Sequence, residues 1–120
     1  MKLVLPLPLN LGNARLHHYE KNRKMNAYFD LCLATVKTKR PTFPLSRVAI
    51  SATLYCWNLM DEGDNMRFRL KWPLDFLVQR GFIENDSPKV LVWGTVTQEI
   101  DRLRPRIEIE LEAITEDEAA

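Results

Sequence analysis

The chain has 120 residues, of which 46% are hydrophobic and 28% charged, so one compact domain is predicted and two domains of ordinary size are excluded. It has neither an apolar run of about 18 residues nor a signal-peptide pattern, which predicts a protein that stays inside the cell and away from membranes. The net charge is +1, but residues 1–60 hold nine Lys/Arg and two Asp/Glu, whereas residues 61–120 hold eight and fourteen. A basic half favours a polyanionic partner, and an acidic half can hold a cation.

The first third of the chain predicts a short strand, a loop and a helix. Residues 2–6 form the strand, which ends at Pro6 because proline cannot donate to a β-ladder, and a polar loop follows over residues 10–19. A helix is predicted from about residue 21 to 38, where five apolar residues recur at helical spacing: Met25, Phe29, Cys32, Leu33 and Val36. Pro41 ends this helix.

The middle third predicts a central strand and a second helix. Residues 47–57 are rich in β-branched and aromatic residues that alternate between two faces, which is typical of a strand inside a sheet. Residues 61–65 interrupt this pattern, and Asp64 or Asn65 can cap a helix that ends at Gly81. Pro73 is expected to bend that helix.

The last third predicts two strands, over residues 89–98 and 104–114, joined as a hairpin. In the second of them Ile107, Ile109 and Leu111 alternate with glutamates. The order is therefore β-α-β-α-β-β, in which two helices cover one face of a mixed β-sheet, an α+β two-layer sandwich. Residues 1–114 are expected to form this domain, and residues 115–120 an acidic, disordered tail.

Cysteine and tryptophan residues are also informative. Cys32 and Cys56 lie in apolar runs without a Cys-x-x-Cys pair, which favours reduced, buried thiols over a disulfide or a zinc site. Trp57, Trp72 and Trp93 fit either the core or a subunit interface, where aromatic residues are enriched.

Functional residue types are densest between positions 61 and 86. In an extended segment Glu62 and Asp64 point the same way. On the following helix Lys71 lies seven residues after Asp64, and Asp75 four after Lys71, so these three share one face. Asp86 follows the helix stop, and a tight turn can bring it toward the same group. A separate apolar stripe faces the core: Met66, Leu70, Leu74 and Leu77.

This acidic cluster has two interpretations. Carboxylates repel one another unless a cation neutralises them, and oxygen ligands favour Mg²⁺ or Mn²⁺ over zinc. The first interpretation is therefore a metal site that holds a phosphodiester and activates water. The second is a helix cap and a Lys71/Asp75 pair on a solvated helix face.

A longer pattern runs through most of the chain, from residue 2 to about residue 113. Its central part is Asp64-Asn65, then Lys71 with Asp75, then Gly81-Phe82-Ile83 and Asp86-x-Pro88. Leu5-Pro6-Leu7-Pro8, with Asn13 and Arg15, precedes it. Together these segments resemble the RusA family of phage and prophage Holliday-junction resolvases.

The resemblance implies a homodimeric, Mg²⁺-dependent endonuclease that resolves four-way DNA junctions by paired nicks during recombination and repair, in a bacterial or phage-infected cell. It implies that Asp64 and Asp86 are metal ligands with catalytic roles and that Glu62 is a third ligand. Asp75 would be a further ligand or support the ligands. Lys71 would stabilise the transition state or the leaving group.

The chain departs from the family pattern at three places. Glu62, or alternatively Asp61, stands where the family usually has Asp, and Asn85 replaces the first acid of an Asp-Asp pair. The spacing before Lys71 is longer by nearly one helical turn, which keeps Lys71 on roughly the same face. Two alternatives therefore accompany the resolvase hypothesis: a flap or fork nuclease, and a branched-DNA-binding protein with weak or no catalysis.

Basic residues before and within the first helix predict the DNA contacts. Cations near a duplex contribute salt-sensitive affinity through the phosphates without reading sequence. Adjacent His17 and His18 point in different directions, which favours phosphate contact over metal ligation. A solvated surface is the alternative for each of the predicted residues: Arg15, His17, Lys21, Arg23 and Lys24.

Overall fold

Within residues 1–8, 18–59 and 69–114, which the computed structural model describes, four strands and two helices make up the fold. They follow the predicted order β-α-β-α-β-β and form an α+β architecture. The predicted acidic tail, residues 115–120, lies outside the described residues. The elements are β1 (Lys2–Leu5), α1 (His18–Thr35), β2 (Val48–Cys56), α2 (Lys71–Gln79), β3 (Leu91–Ile100) and β4 (Arg106–Ala113).

The strands form one mixed sheet in the order β1-β4-β2-β3. β4 pairs antiparallel with both β1 and β2, whereas β3 runs parallel to β2. The predicted central position of β2 is confirmed. Because β1, β2 and β3 all run in the same direction, their carboxyl ends meet at one edge of the sheet.

The predicted hairpin between the last two strands is wrong, because β2 lies between β3 and β4. Residues 101–105 carry the chain across the end of β2, where the Asp101 amide donates to the Cys56 carbonyl at 2.9 Å. Two strand spacings are about 10 Å, which five residues can span. Helix α2 connects β2 to β3, and such a crossover connection is typical of parallel neighbours.

The core lies between one sheet face and the helices. Every second residue of β2 and β4 is buried on that face, so the alternation predicted for both strands is confirmed. Ile107, Ile109 and Leu111 are at most 1% exposed, which matches the interior position of β4. The opposite sheet face is polar and carries ion pairs from Lys2 and Arg106 to Glu108.

Helix α1 begins three residues before the predicted start and ends at Thr35. Cys32 is buried and Met25, Phe29 and Val36 are partly buried against the core, but Leu33 is 45% exposed, so its place in the predicted stripe is wrong. Tyr28 takes its place because it lies one helical turn before Cys32. The Tyr28 hydroxyl donates to the Pro6 carbonyl at 2.7 Å and thereby ties α1 to the end of β1.

Helix α2 begins at Lys71, next to Leu70. The predicted caps Asp64 and Asn65 lie outside the described residues. Pro73 is the third residue of the helix, in the first turn, where an amide needs no partner within the helix. The bend at Pro73 stays a prediction, because the earlier part of the predicted helix lies outside the described residues. Gly81, with a φ of 82°, ends the helix as predicted.

Both cysteines are free and buried, as predicted. Burial raises the pKa of the Cys32 thiol to about 11, which keeps it protonated and unreactive at neutral pH. Of the tryptophans, Trp72 is buried, Trp93 is partly buried and Trp57 is 59% exposed. No helix in the described ranges is long and apolar enough to cross a bilayer.

Candidate active site

Helix α2 presents its charged residues on a single outer face. Leu70, Leu74, Phe76 and Leu77 are buried against the sheet and α1. Lys71 is exposed and Asp75 is partly buried, and the two lie one helical turn apart. The prediction that Lys71 and Asp75 share a face away from the core is therefore confirmed.

Asp86 lies in the segment that joins α2 to β3. Leu45 anchors the beginning of this segment, because its amide donates to the Phe82 carbonyl and its carbonyl accepts the Glu84 amide, both at 3.0 Å. Arg47 holds the other end through bonds from its guanidinium to the Pro88 and Lys89 carbonyls, at 3.0 and 2.8 Å. The exposed carboxylate of Asp86 is therefore carried by a segment that is fixed on both sides.

The charges of Lys71 and Asp86 both act on the carboxyl group of Asp75. Partial burial raises the pKa of Asp75 above its ordinary value of 3.8; the positive charge of Lys71 lowers it, and the negative charge of Asp86 raises it further. The fold thus brings these three predicted site residues within electrostatic range. A cation next to the two carboxylates would relieve their repulsion.

Asn85 has a structural role in the same segment. Its side-chain oxygen accepts a hydrogen bond from the Ser87 amide at 2.9 Å, and this bond closes a local turn of the kind that Asn and Asp both favour. Asn85 therefore closes this turn without placing a second negative charge next to Asp86.

Arg69 is a functional candidate that the sequence analysis missed. Its guanidinium donates from Nε and Nη2 to the Pro8 carbonyl at 3.2 and 3.0 Å. Burial lowers the pKa of Arg69, and its charge lowers that of Cys56 at the end of β2, against the larger effect of burial. Arg69 thus joins the segment that follows β1 to the start of α2, within electrostatic range of Cys56. The only sequence signal was a cation beside the buried Leu70.

Several predicted site residues lie outside the described residues: Asp61, Glu62, Asp64, Arg15 and His17. Among the residues that the structure describes, no group of three or more His, Cys, Asp or Glu side chains is arranged to hold a metal ion. Of the four predicted metal ligands, Asp75 and Asp86 can therefore be placed.

The described part of the predicted DNA surface lies at the start of α1. Lys21 and Arg23 are exposed, and Lys24 is partly exposed and pairs with Glu20 over 3.7 Å. An ion pair this exposed is weak and exchanges readily for a phosphate contact. Further cations follow the end of the helix at Lys37, Lys39 and Arg40, all exposed.

Comparison with models of known protein families gives no match to this chain, and no curated protein matches it.

Proposed function

We propose that the chain is a Mg²⁺-dependent, structure-selective DNA endonuclease that cuts four-way junctions by paired nicks, as a homodimer. The observation that carries the proposal is that the exposed Lys71 and Asp86 both lie within electrostatic range of the partly buried Asp75. These positions belong to the pattern that resembles the RusA family, and their proximity is what that chemistry requires.

The described residues offer two carboxylates to a divalent cation, and the other two proposed ligands lie outside the described residues. Asp75 and Asp86 supply carboxylate oxygens, the ligand type that Mg²⁺ and Mn²⁺ prefer. Partial burial is the largest cause of the raised pKa of Asp75, and the negative charge of Asp86 adds to it, while the positive charge of Lys71 lowers it. In this proposal Glu62 and Asp64 complete the site, and the bound ion supplies Lewis-acid assistance to phosphodiester hydrolysis.

Lys71 would act on the phosphate itself. Its ammonium is a compact point charge on a flexible stem, and it is exposed one turn from Asp75. A fixed positive charge next to the scissile phosphate stabilises the negative charge that develops during hydrolysis. Asp75 would in turn hold the ammonium at this end of the helix.

Substrate binding would depend on the basic surface and on symmetry. Lys21, Arg23 and Lys24, together with Arg15 and His17, would contact phosphates of branched DNA. A four-way junction has near two-fold symmetry, so paired incision requires two active sites related by a two-fold axis. A homodimer provides such a pair, and it would act in the cytoplasm of a bacterial or phage-infected cell.

The test is cleavage of labelled four-way junction, flap and duplex DNA with and without Mg²⁺. Symmetric nicks in the junction are expected from the wild-type protein, with no cleavage by Asp86→Asn. Glu84→Gln is the matched control, because it neutralises an exposed acid two residues away in the same segment. Cleavage of the flap alone would favour a flap nuclease instead.

A second candidate function is branched-DNA binding without cleavage. It is favoured by Asn85, whose amide occupies a position where the family pattern has a carboxylate and is engaged in a turn. In this case the wild-type protein would shift the junction in a gel but yield no product with Mg²⁺ or Mn²⁺. Asp86→Asn would then change neither binding nor cleavage.

A further inference from the structure

The connection between β3 and β4, residues 101–105, presents an apolar side chain between two cations. Leu103 is 99% exposed, and Arg102 and Arg104 on either side of it are also exposed. Trp57, at 59% exposure, lies next to this connection because the Arg102 guanidinium sits 5.7 Å over its ring and donates to its carbonyl at 3.2 Å. Apolar residues grouped in this way mark a contact surface more often than a lone exposed leucine does.

The fold holds this connection in one conformation. The Asp101 carboxylate accepts the amides of Leu103 and Arg104 at 3.1 and 3.0 Å, and its other oxygen accepts the Arg106 guanidinium at 2.8 Å. Arg106 also donates to the Arg104 carbonyl at 2.9 Å. The exposure of Leu103 is therefore a property of a well-bonded turn.

The connection and the segment that carries Asp86 lie at opposite ends of β2. Residues 101–105 follow the carboxyl end of β3, beside the end of β2, to which Asp101 is bonded. The Asp86 segment is bonded to Leu45 and Arg47, before the start of β2. The nine residues of β2 separate the two places by about 30 Å, so DNA that contacts both extends along the sheet.

We propose that residues 101–105 form a wedge that contacts the branch point of the DNA substrate, an inference that rests on the proposed function. Leu103 packs against bases at the point where stacking is interrupted, and Arg102 and Arg104 bind phosphates on the two sides. Apolar wedges between base steps must separate stacked bases. At a branch point the stack is already broken, so the wedge favours junctions over plain duplex.

Charge argues for DNA as the partner of this turn. A symmetric contact between two copies of the chain through Leu103 would bring four guanidinium groups together, from Arg102 and Arg104 of each copy. Such like charges repel. Nucleic acid has the opposite charge and also offers the apolar faces of its bases.

The test measures the affinity of the full chain for a four-way junction and for a duplex of equal length, in EDTA to prevent cleavage. Leu103→Ala is expected to weaken junction binding about tenfold, the low end for loss of one side chain stacked on bases, and to leave duplex binding unchanged. Leu103→Phe is expected to retain junction binding. Phe43→Ala is the control, because Phe43 is 80% exposed and precedes β2, at the other end of the sheet.

A second readout locates the contact. 2-Aminopurine placed at the branch point should brighten when the wild-type protein or Phe43→Ala binds, and should not brighten with Leu103→Ala. Arg102→Gln should weaken junction and duplex binding alike and lower the salt slope by about one.

Three results would overturn the proposal. Equal junction affinity and equal 2-aminopurine signal for Leu103→Ala and wild type would contradict the wedge role of Leu103 and would not contradict the proposed nuclease function. Loss of the dimer in Leu103→Ala, seen by sedimentation, would make the turn a subunit contact. Absence of any junction binding by the wild-type protein would overturn the proposed function as well.

Discussion

Lys71 is the residue whose role can be tested most sharply. If it stabilises developing charge on the phosphate, Lys71→Ala should slow single-turnover cleavage about 10²- to 10³-fold, as removal of one stabilising donor does. If it only pairs with Asp75 on the helix surface, the change should cost about 0.3 to 0.5 kcal/mol of stability and almost no activity.

The measurement is single-turnover cleavage at saturating Mg²⁺ together with a thermal melt of the same variant. Gln79→Ala controls for truncation of an exposed side chain on the same helix. A Lys71→Ala rate within about threefold of wild type would exclude Lys71 from the chemical step.

The Asp75 carboxylate is expected to lower the stability of the fold and to be required for cleavage. Its pKa is raised above 3.8 chiefly by burial, so the folded state binds its proton more tightly than the unfolded state does. Ionisation of Asp75 therefore opposes folding once the pH exceeds the pKa that this carboxyl has in the unfolded chain. Asp75→Asn should abolish cleavage while unfolding at an equal or higher temperature at pH 7.

The stability difference between Asp75→Asn and wild type should shrink as the pH falls below about 4, because both states of the wild-type carboxyl are then protonated. Melting curves at pH 3, 5 and 7 measure this. Asp30→Asn, which changes an exposed carboxylate on α1, is the control. A clearly destabilised Asp75→Asn at pH 7 would mean that the carboxylate supports the fold.

At the scale of the elements, Arg69 joins the segment that follows β1 to the start of α2. Arg69→Gln removes both bonds to the carbonyl of the buried Pro8, which should cost about 1 to 3 kcal/mol because a buried acceptor loses its partner. Lysine cannot reproduce the planar two-donor geometry, so Arg69→Lys should recover only part of this loss.

Denaturant unfolding measures the cost, and hydrogen exchange locates it. Exchange should rise at the β1 end and at the start of α2 in Arg69→Gln, with β4 still protected. Arg104→Gln is the control, because that side chain is exposed. Equal stability of Arg69→Gln and wild type would show that the two bonds contribute nothing to the fold.

The sequence predicted which faces of the elements are buried better than it predicted which elements are neighbours. The alternation of Ile107, Ile109 and Leu111 identified the buried face of β4, because side chains alternate with period 2. It could not show that β2 would separate β4 from β3, since alternation contains no information about the neighbouring strand. A helix between two strands was the better guide to pairing.

The same division applies to the candidate site. Helical period placed Lys71 and Asp75 together, since one turn fixes their spacing. The approach of Asp86 to Asp75 depends on the hydrogen-bonded segment between α2 and β3, which has neither helical nor strand periodicity. The Arg69 contact joins residues that are 61 positions apart. Long-range contacts of this kind follow from the packing of the whole chain.

At the scale of the molecule, the polar sheet face predicts how stability depends on pH. The Glu108 carboxylate accepts hydrogen bonds from Lys2 at 2.6 Å and from Arg106 at 2.8 Å. These bonds, of which the one from Lys2 has the larger effect, hold the pKa of Glu108 below its ordinary value of 4.5. A lowered pKa contributes stability above pH 4.5, and this stability is lost as the pH falls through the pKa that Glu108 has in the folded protein. Lys2 is exposed and its pair is screened by solvent, so the contribution should be less than about 1 kcal/mol.

Glu108→Gln should therefore lower the melting temperature slightly at pH 7 and flatten the loss of stability between pH 5 and 3. Glu112→Gln, an exposed glutamate on the same strand, should leave that slope unchanged. High salt should reduce the difference between Glu108→Gln and wild type. Parallel pH profiles for Glu108→Gln and wild type would contradict the role given to this network.

The interior position of β4 has a consequence for how the chain is made. β1 pairs with β4, Lys2 opposite Glu110, so β1 leaves the ribosome about a hundred residues before its partner strand. β2 also lacks its antiparallel neighbour until residues 106–113 have been synthesised. Contacts of such high sequence separation slow folding and leave strand edges open during synthesis. A nascent chain stalled before β4 is therefore the form most exposed to aggregation and to chaperones.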